Sequence, residues 1–270
     1  MSTESTYKKV VLITGANGGI GFELARLLAE KGHKVYIGAR NTDAGQEAEK
    51  RLRDEYRLDA KFVQLDVTDS ESIKAAKDLI EKAENRLDVL VNNAGRLQYS
   101  TVAMTMKLTY NVTATYHPPR NLSETDLQDY IRVMNTNFFG LVNCTNTFLP
   151  LIRKSPPGYG AIVNVSSSLG SNSALAAREI PEQFSKSGPY SASKAAANSY
   201  AIGLANELRG ERIRVNCVGP GLVKTKMNNY AEGGKTVREG TELLVPWVLL
   251  GPEDDDKTCQ FYNNGAPKAW

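Results

Sequence analysis

No apolar run in this sequence approaches the ~20 residues that a membrane-crossing helix needs. The longest, Leu243 to Leu250, is interrupted by Pro246. Cysteine is scarce: Cys144, Cys217 and Cys259 are odd in number and far apart, so neither a disulfide framework nor a metal site is expected. Histidine is scarcer still, and His33 and His117 lie away from every candidate motif, as surface residues rather than catalysts do. There is no block of Lys or Arg, and the net charge is only +3, which speaks against a nucleic-acid footprint. Met1 to Lys9 is polar and has no apolar signal core. The glycosylation sequons starting at Asn111, Asn121 and Asn143 therefore read as chance matches, and a reducing, cytoplasmic setting is expected. The composition that is present is ordinary for a soluble domain: 270 residues, 41% hydrophobic and 23% charged, enough for a large core in one α/β domain.

The chain alternates between strand and helix patterns. Val10 to Ile13 is a short apolar run, read as a buried strand. It enters Thr14-Gly15-Ala16-Asn17-Gly18-Gly19-Ile20-Gly21 and then a helix. Gly15 suits the tight turn, Gly19 leaves room for a pyrophosphate, and Gly21 allows close helix–strand packing. The helix N-terminus would face the phosphates. Lys34 to Ala39 reads as the second strand, with Arg40 after it and no acidic neighbour. An Arg there suits a ribose 2′-phosphate, hence NADP over NAD, unless it is a solvated loop charge. Ala44, Ala48 and Leu52 mark one helix face; Phe62 to Leu65 reads as the third strand. Asp66 can accept from an adenine amino group or cap a turn. Ser70 is the expected cap of a helix carrying Ile73, Ala76, Ile80 and Ala83. Val89 to Val91 is the fourth strand, ending in Asn92-Asn93-Ala94-Gly95. Such alternation predicts a parallel sheet with a ligand at the carboxyl ends of its strands.

The second half carries groups suited to proton transfer. Ser123 opens an amphipathic pattern with Leu127, Ile131, Met134, Phe138 and Leu141 on one side, running toward Ile152 and enclosing Asn135-Thr136-Asn137-Phe138-Phe139-Gly140. Ala161 to Val165 reads as a fifth strand flowing into Ser166-Ser167-Ser168-Leu169-Gly170. In Tyr190-Ser191-Ala192-Ser193-Lys194, residues four apart share a helix face, so an ammonium lies near a phenol. A nearby cation favours phenolate and brings a group with a free pKa of about 10 closer to working range. Ile213 to Val218 is the sixth strand, Pro220-Gly221 and Thr225 come after it, and Lys226 to Gly240 is polar and suited to a mobile lid. Cys259 to Tyr262 is a candidate last edge strand.

Thr14-Gly15-x-x-x-Gly19-x-Gly21, Asn92-Asn93-Ala94-Gly95 and Tyr190-x-x-x-Lys194, in that order, resemble the motifs of the classical short-chain dehydrogenase/reductase family. The likeness runs from about Val10 to Thr225. It implies a single-domain, Rossmann-like, doubly wound parallel sheet of about seven strands with helices on both faces. Within it, 8–95 would be the dinucleotide-binding half, 96–122 an insertion, 123–225 the catalytic half and 226–270 the lid and C-terminal segment. It implies Asn137, Ser167, Tyr190 and Lys194 as catalytic residues, Asn135 being the neighbouring rival of Asn137. Asn137 would support a helix kink and a water leading to Lys194. It further implies that NADP(H), preferred over NAD(H), is bound by Gly15, Asn17, Gly18, Gly19, Ile20, Gly21, Arg40, Asp66, Val67, Asn93, Ala94, Gly95, Tyr190, Lys194, Pro220, Gly221, Val223 and Thr225. No metal is implied.

From Gly95 to Asn137 there are 42 positions, longer than the family's usual segment; Tyr99, Met104, Met106, Tyr110, Tyr116, Pro118 and Pro119 lie in the extra part. A second extra stretch includes Ala174 to Lys186. The tail, Tyr262 to Trp270, lacks the Asp-Gly-Gly ending of tetrameric members. These features resemble the carbonyl-reductase branch and leave monomer or homodimer open. The expected activity is NADPH-dependent reduction of a ketone or aldehyde, apolar or aromatic, to an alcohol. The alternatives are an NAD(P)-dependent secondary-alcohol or hydroxysteroid-type dehydrogenase and a non-catalytic NADP-binding sensor. No membrane or nucleic-acid partner is expected.

Overall fold

Short β-branched runs build the sheet. In β1 (Val10–Thr14) every residue is buried, as in a strand covered on both faces. Val10 and Leu12 join one apolar cluster, Val11 and Ile13 the other, because successive Cβ atoms point to opposite sides. The division repeats in β2 (Lys34–Ala39), where Tyr36 opposes Val35 and Ile37, and in β4 (Val89–Asn92), where Leu90 opposes Val89 and Val91. The computed structural model describes residues 7–97, 121–181, 184 and 186–270.

The remaining strands are β3 (Ala60–Gln64), β5 (Ala161–Val165), β6 (Arg214–Gly219), β7 (Gln260–Asn263) and β8 (Ala266–Pro267). They form one eight-stranded sheet in the order β3-β2-β1-β4-β5-β6-β7-β8. All neighbours pair in parallel except β7 and β8. On one face, α1 (Gly19–Glu30) and α2 (Thr42–Tyr56) bury Leu24, Leu28, Ala48 and Leu52. On the other lie α3 (Ser70–Glu84), α5 (Gly140–Ile152) and α6 (Gly188–Glu207), which bury Ile73, Ile80, Cys144, Phe148, Ala201 and Leu204. Helix α4 (Leu127–Met134) leads into α5. The strand order reverses between β1 and β4, which opens a crevice at their carboxyl ends. This is the expected doubly wound α/β domain.

Several expectations need correction. Ser70 does not cap α3: the Asp69 carboxylate accepts from the Glu71 N–H, and the Ser70 hydroxyl accepts from Asn143 instead. The long amphipathic helix starts at Leu127 with Asp126 as its cap, while Ser123 lies in a preceding 3₁₀ turn. Its apolar stripe is also out of phase. A π-helical segment, Asn135–Phe139, inserts an extra residue per turn and rotates the face that α5 presents. Leu127 and Ile131 consequently stay 68% and 41% exposed, while Leu141, Cys144 and Phe148 are buried.

The last parallel strand is Gln260–Asn263, one residue later than expected, because Cys259 is left-handed (φ 57°). It is not the edge, since β8 adds an eighth strand beyond the seven expected. Finally, the polar stretch after Thr225 has structure of its own. Thr225 and Asn228 form a capping box, Val223 pairs with Lys235, and Thr236 and Glu239 form a second capping box on a short helix, Val237–Glu242. Val223 packs over Gly240, where a Cβ would come within 2.3 Å of its Cγ2.

Among the described residues no helix is long and apolar enough to cross a membrane, and no group of three His, Cys, Asp or Glu could hold a metal ion. The three cysteines are unpaired. His33 sits at the start of β2, at the sheet end opposite the crevice, and its Nδ1 accepts from the Lys9 N–H. His117, the 98–120 part of the first insertion with its aromatic and Met residues, and residues 182, 183 and 185 of the second lie outside the described residues.

Candidate active site

The glycine turn is held by side chains from β1 and from the segment after β4. Asn93 Nδ2 donates to the Thr14 and Gly15 carbonyls at 2.8 and 3.0 Å. The Thr14 hydroxyl accepts from the Asn93 and Ala94 N–H groups at 3.0 and 2.9 Å. Gly15 (φ 65°) has Ala94 Cα 2.9 Å from where a Cβ would sit, so only glycine fits both backbone and space. At Gly21 a Cβ would lie 2.8 Å from Ala16 Cα, which explains the close helix–strand approach. Asn17, Gly18 and Gly19 are exposed in the crevice and Ile20 is half-buried. Gly18, extended at φ −175°, puts no side-chain cap on α1, so the first N–H groups of that helix are open to an anion. These residues fit a pyrophosphate: an uncapped helix start and a turn that a Cβ would fill.

Asn137 is buried at 1% exposure in the π segment, whereas its rival Asn135 is exposed, so Asn137 is the one that faces the crevice side. Its Oδ1 accepts from the Arg96 N–H at 2.9 Å. Its Nδ2 donates to the Arg96 carbonyl and to the Ser193 hydroxyl, both at 3.0 Å. Both amide hydrogens are thereby engaged, which fixes the side chain between the Arg96 segment and α6. Gly95, which precedes Arg96, has Asn137 Oδ1 3.5 Å from a built Cβ position.

Ser167, Tyr190 and Lys194 converge. Ser167 comes just after β5 and caps a 3₁₀ turn, Ser168–Gly170, by accepting from the Leu169 N–H at 3.2 Å. That turn lies directly on α6: at Gly170 a Cβ would come 2.8 Å from the Lys194 Cβ. Tyr190 is near the start of α6 and Lys194 one turn on. Lys194 Nζ donates to the Val165 carbonyl at 2.7 Å and lies 5.6 Å from the Tyr190 ring centroid. The electrostatics differ from expectation. Burial pushes the Tyr190 phenol up to about 12, opposed by the hydrogen bond with Ser167. Burial likewise lowers Lys194 to about 8.

The other predicted residues follow the carboxyl ends of β2, β3 and β6. Arg40 directly succeeds β2, is exposed, and makes no ion pair among the described residues. Asp66 Oδ1 accepts from the N–H and hydroxyl of Thr68 at 2.9 and 2.7 Å, so one carboxylate oxygen caps a turn. Val67 lies under α5, where Gly140 admits its carbonyl: a Cβ would be 2.7 Å away. The segment after β6, with Pro220, Gly221 (φ 79°), Val223 and Thr225, returns to the glycine turn; Thr225 Cγ2 is 3.7 Å from a Cβ built on Gly19.

Two supporting residues were not singled out from sequence. Ser193 accepts from Asn137 and donates to the Tyr190 carbonyl at 2.7 Å, joining two predicted site residues. Asn198 accepts from the Ser166 hydroxyl at 2.8 Å and donates to the Gly170 carbonyl at 3.0 Å, bracketing the serine turn. The available signal was spacing: Asn198 lies four beyond Lys194 on one helix face.

The family pattern described as "short chain dehydrogenase" matches residues 9–235. Salutaridine reductase of Papaver somniferum is 32% identical, the match covering 96% of this chain and 95% of that protein. Carbonyl reductase [NADPH] 1 of Mus musculus is 29% identical, covering 98% of this chain and 100% of that protein. Among solved structures, the NADPH-bound carbonyl reductase from chicken fatty liver superposes with a TM-score of 0.77 at 26% identity, covering 97% of this chain and 99% of that one.

Proposed function

The chain belongs to the short chain dehydrogenase family, oxidoreductases that act on carbonyl or alcohol groups with a nicotinamide cofactor, and from that premise we propose that it is an NADPH-dependent reductase of ketones or aldehydes. The observation that carries this reading is the meeting of Ser167, Tyr190 and Lys194 at the crevice that also holds the uncapped glycine turn.

A bound nicotinamide dinucleotide supplies the hydride. As the carbonyl carbon accepts it, charge develops on the substrate oxygen. Ser167 donates a hydrogen bond to that oxygen, and Tyr190 gives it a proton. A phenol held near a pKa of about 12 is firmly protonated at neutral pH, which suits the acid role. Lys194, anchored on Val165, stabilises the phenolate left behind. Asn137 and Ser193 hold the start of α6 in register with the segment at Arg96. In alcohol oxidation the same groups act in reverse, with Tyr190 as base.

An apolar substrate is supported by Leu222, Met227 and Tyr230, which are 37%, 38% and 63% exposed on the segment beyond Pro220. It is also supported by the salutaridine and carbonyl reductases among the relatives. A cytoplasmic setting is in keeping with three unpaired thiols.

NADPH preference rests on Arg40, an exposed guanidinium at the end of β2 with no ion-pair partner among the described residues. A hydrogen-bonded contact to a charged phosphate is worth about 1.5–3 kcal/mol. Arg40→Ala should therefore lower the NADPH-over-NADH ratio of kcat/KM by about 10- to 100-fold. Steady-state kinetics with both cofactors measures this, and an unchanged ratio would mean that Arg40 plays no part in cofactor choice.

A further inference from the structure

Ser167 is held from one side by α6. The structure shows a second hold, from the far end of the chain. The Ser168 N–H, next to Ser167, donates to Asn263 Oδ1 at 3.1 Å. Asn263 ends β7 and pairs in register with Gly219 of β6. Its side chain therefore crosses over β6 to reach the serine turn beyond β5. That path exists only because position 219 is glycine: a Cβ there would lie 2.2 Å from Asn263 Oδ1. Gly219 has no positive φ to demand glycine, so the space is the reason for it.

The corner bearing Asn263 is itself fixed. Asn264 is left-handed (φ 58°), its N–H donates to the Gly219 carbonyl at 2.8 Å, and its Oδ1 accepts from Lys235 Nζ. Beyond β8, the Ala269 carbonyl accepts from the Ser171 hydroxyl at 2.6 Å and the Trp270 carbonyl accepts from the Ser173 N–H at 3.1 Å. Trp270 stacks on Phe261 of β7, with centroids 5.4 Å apart. The serine turn and the residues after it are thus strapped to the β7–β8 hairpin by one side chain at Ser168 and by two contacts further on.

We infer that Asn263 is a positioning residue for Ser167: it sets the turn from which the serine hydroxyl meets Tyr190 and the substrate oxygen. This rests on the proposed reductase reading. With no acceptor at position 263, the Ser168 N–H is left without its partner and the turn can rotate. A misplacement on the order of 1 Å in such a group can cost up to ~10²-fold in rate. The glycine turn and Arg40 lie across the crevice and are untouched.

The test compares wild type with Asn263→Ala, Asn263→Asp, Gly219→Ala and Tyr190→Phe, using NADPH and a ketone the wild type reduces. Asn263→Ala should lower kcat about 10- to 100-fold with KM for NADPH within about twofold of wild type. Asn263→Asp keeps an acceptor oxygen of the same reach and should restore most of the rate. Gly219→Ala should behave like Asn263→Ala, since its methyl group takes the space of the Asn263 oxygen. A general loss of stability would not produce rescue by Asp or a kcat loss at constant KM. Asn263→Ala turning over within about twofold of wild type, or Asn263→Asp as impaired as Asn263→Ala, would overturn the inference. If Tyr190→Phe also kept full activity, the acid role of Tyr190 in the proposed reading would fall, and the inference with it; Tyr190→Phe inactive beside a normal Asn263→Ala removes the positioning role alone.

Discussion

Replacing Tyr190 with Phe is expected to lower kcat for carbonyl reduction about 10²- to 10⁴-fold, the usual contribution of a positioned general acid. The substitution removes one oxygen. The ring, half-buried at the start of α6, stays in place, and so does its contact with Lys194 Nζ 5.6 Å from the centroid. The loss is the phenol hydroxyl hydrogen-bonded to Ser167, and with it the proton for the nascent alkoxide. Ser167 still donates to the substrate oxygen, which leaves residual activity rather than none. NADPH affinity, measured by fluorescence titration, should change little, because the glycine turn and Arg40 are remote from the hydroxyl. A thermal melt checks that the variant folds. Retention of kcat within a few-fold would mean that the proton comes from elsewhere.

Lys194→Ala is the second large effect, with kcat reduced about 10²-fold or more, and it comes with a pH signature. Burial lowers Lys194 to about 8 from its ordinary 10.5. Below about pH 8 it carries the charge that stabilises the Tyr190 phenolate; above that it loses the charge while Tyr190, at about 12, keeps its proton. Reduction by the wild type should thus be level toward neutral pH and decline above about pH 8. The decline reports the loss of the ammonium, so it should vanish from whatever rate Lys194→Ala retains. The stability consequence has the opposite sign. For this group, between about pH 8 and 10.5 the unfolded chain holds a proton that the folded chain has released, so its contribution to stability rises with pH across that window. Below about pH 8 the cost of burying the ammonium is fully present. A pH–rate profile of both proteins separates the two; an alkaline limb shared by wild type and Lys194→Ala would assign it to another group.

Much of the fold was legible because its signals are local. β-Branched runs, glycine turns and alternating faces named the strands from Val10 to Val218 within a residue or two. The glycine motif and the Asn92–Gly95 segment were legible for a physical reason: a glycine there answers to a specific close approach, as Gly15 does to Ala94. The features that escaped depended on distance or on a change of period. The π segment at Asn135–Phe139 broke a pattern read at a constant 3.6 residues per turn, so Leu127 and Ile131 were placed inward although they are exposed. Ser193, Asn198 and Asn263 act through hydrogen bonds to elements far off in the chain, and a polar residue carries no mark of its distant partner. Helix spacing places Lys194 one turn from Tyr190, but the anchoring of its ammonium on the Val165 carbonyl is another contact with a distant element that the sequence does not mark.

The measurement that tests the central claim most directly is nicotinamide absorbance under turnover. Purified protein is given NADPH or NADH with a panel of apolar and aromatic ketones and aldehydes, and the alcohol product is quantified. NADPH should be consumed in step with alcohol formed, NADH should serve at least about tenfold less well, and the reaction should be lost in Tyr190→Phe. NADPH bound tightly with no carbonyl reduced and no alcohol oxidised would contradict the reductase reading, and would make the protein a cofactor-binding sensor.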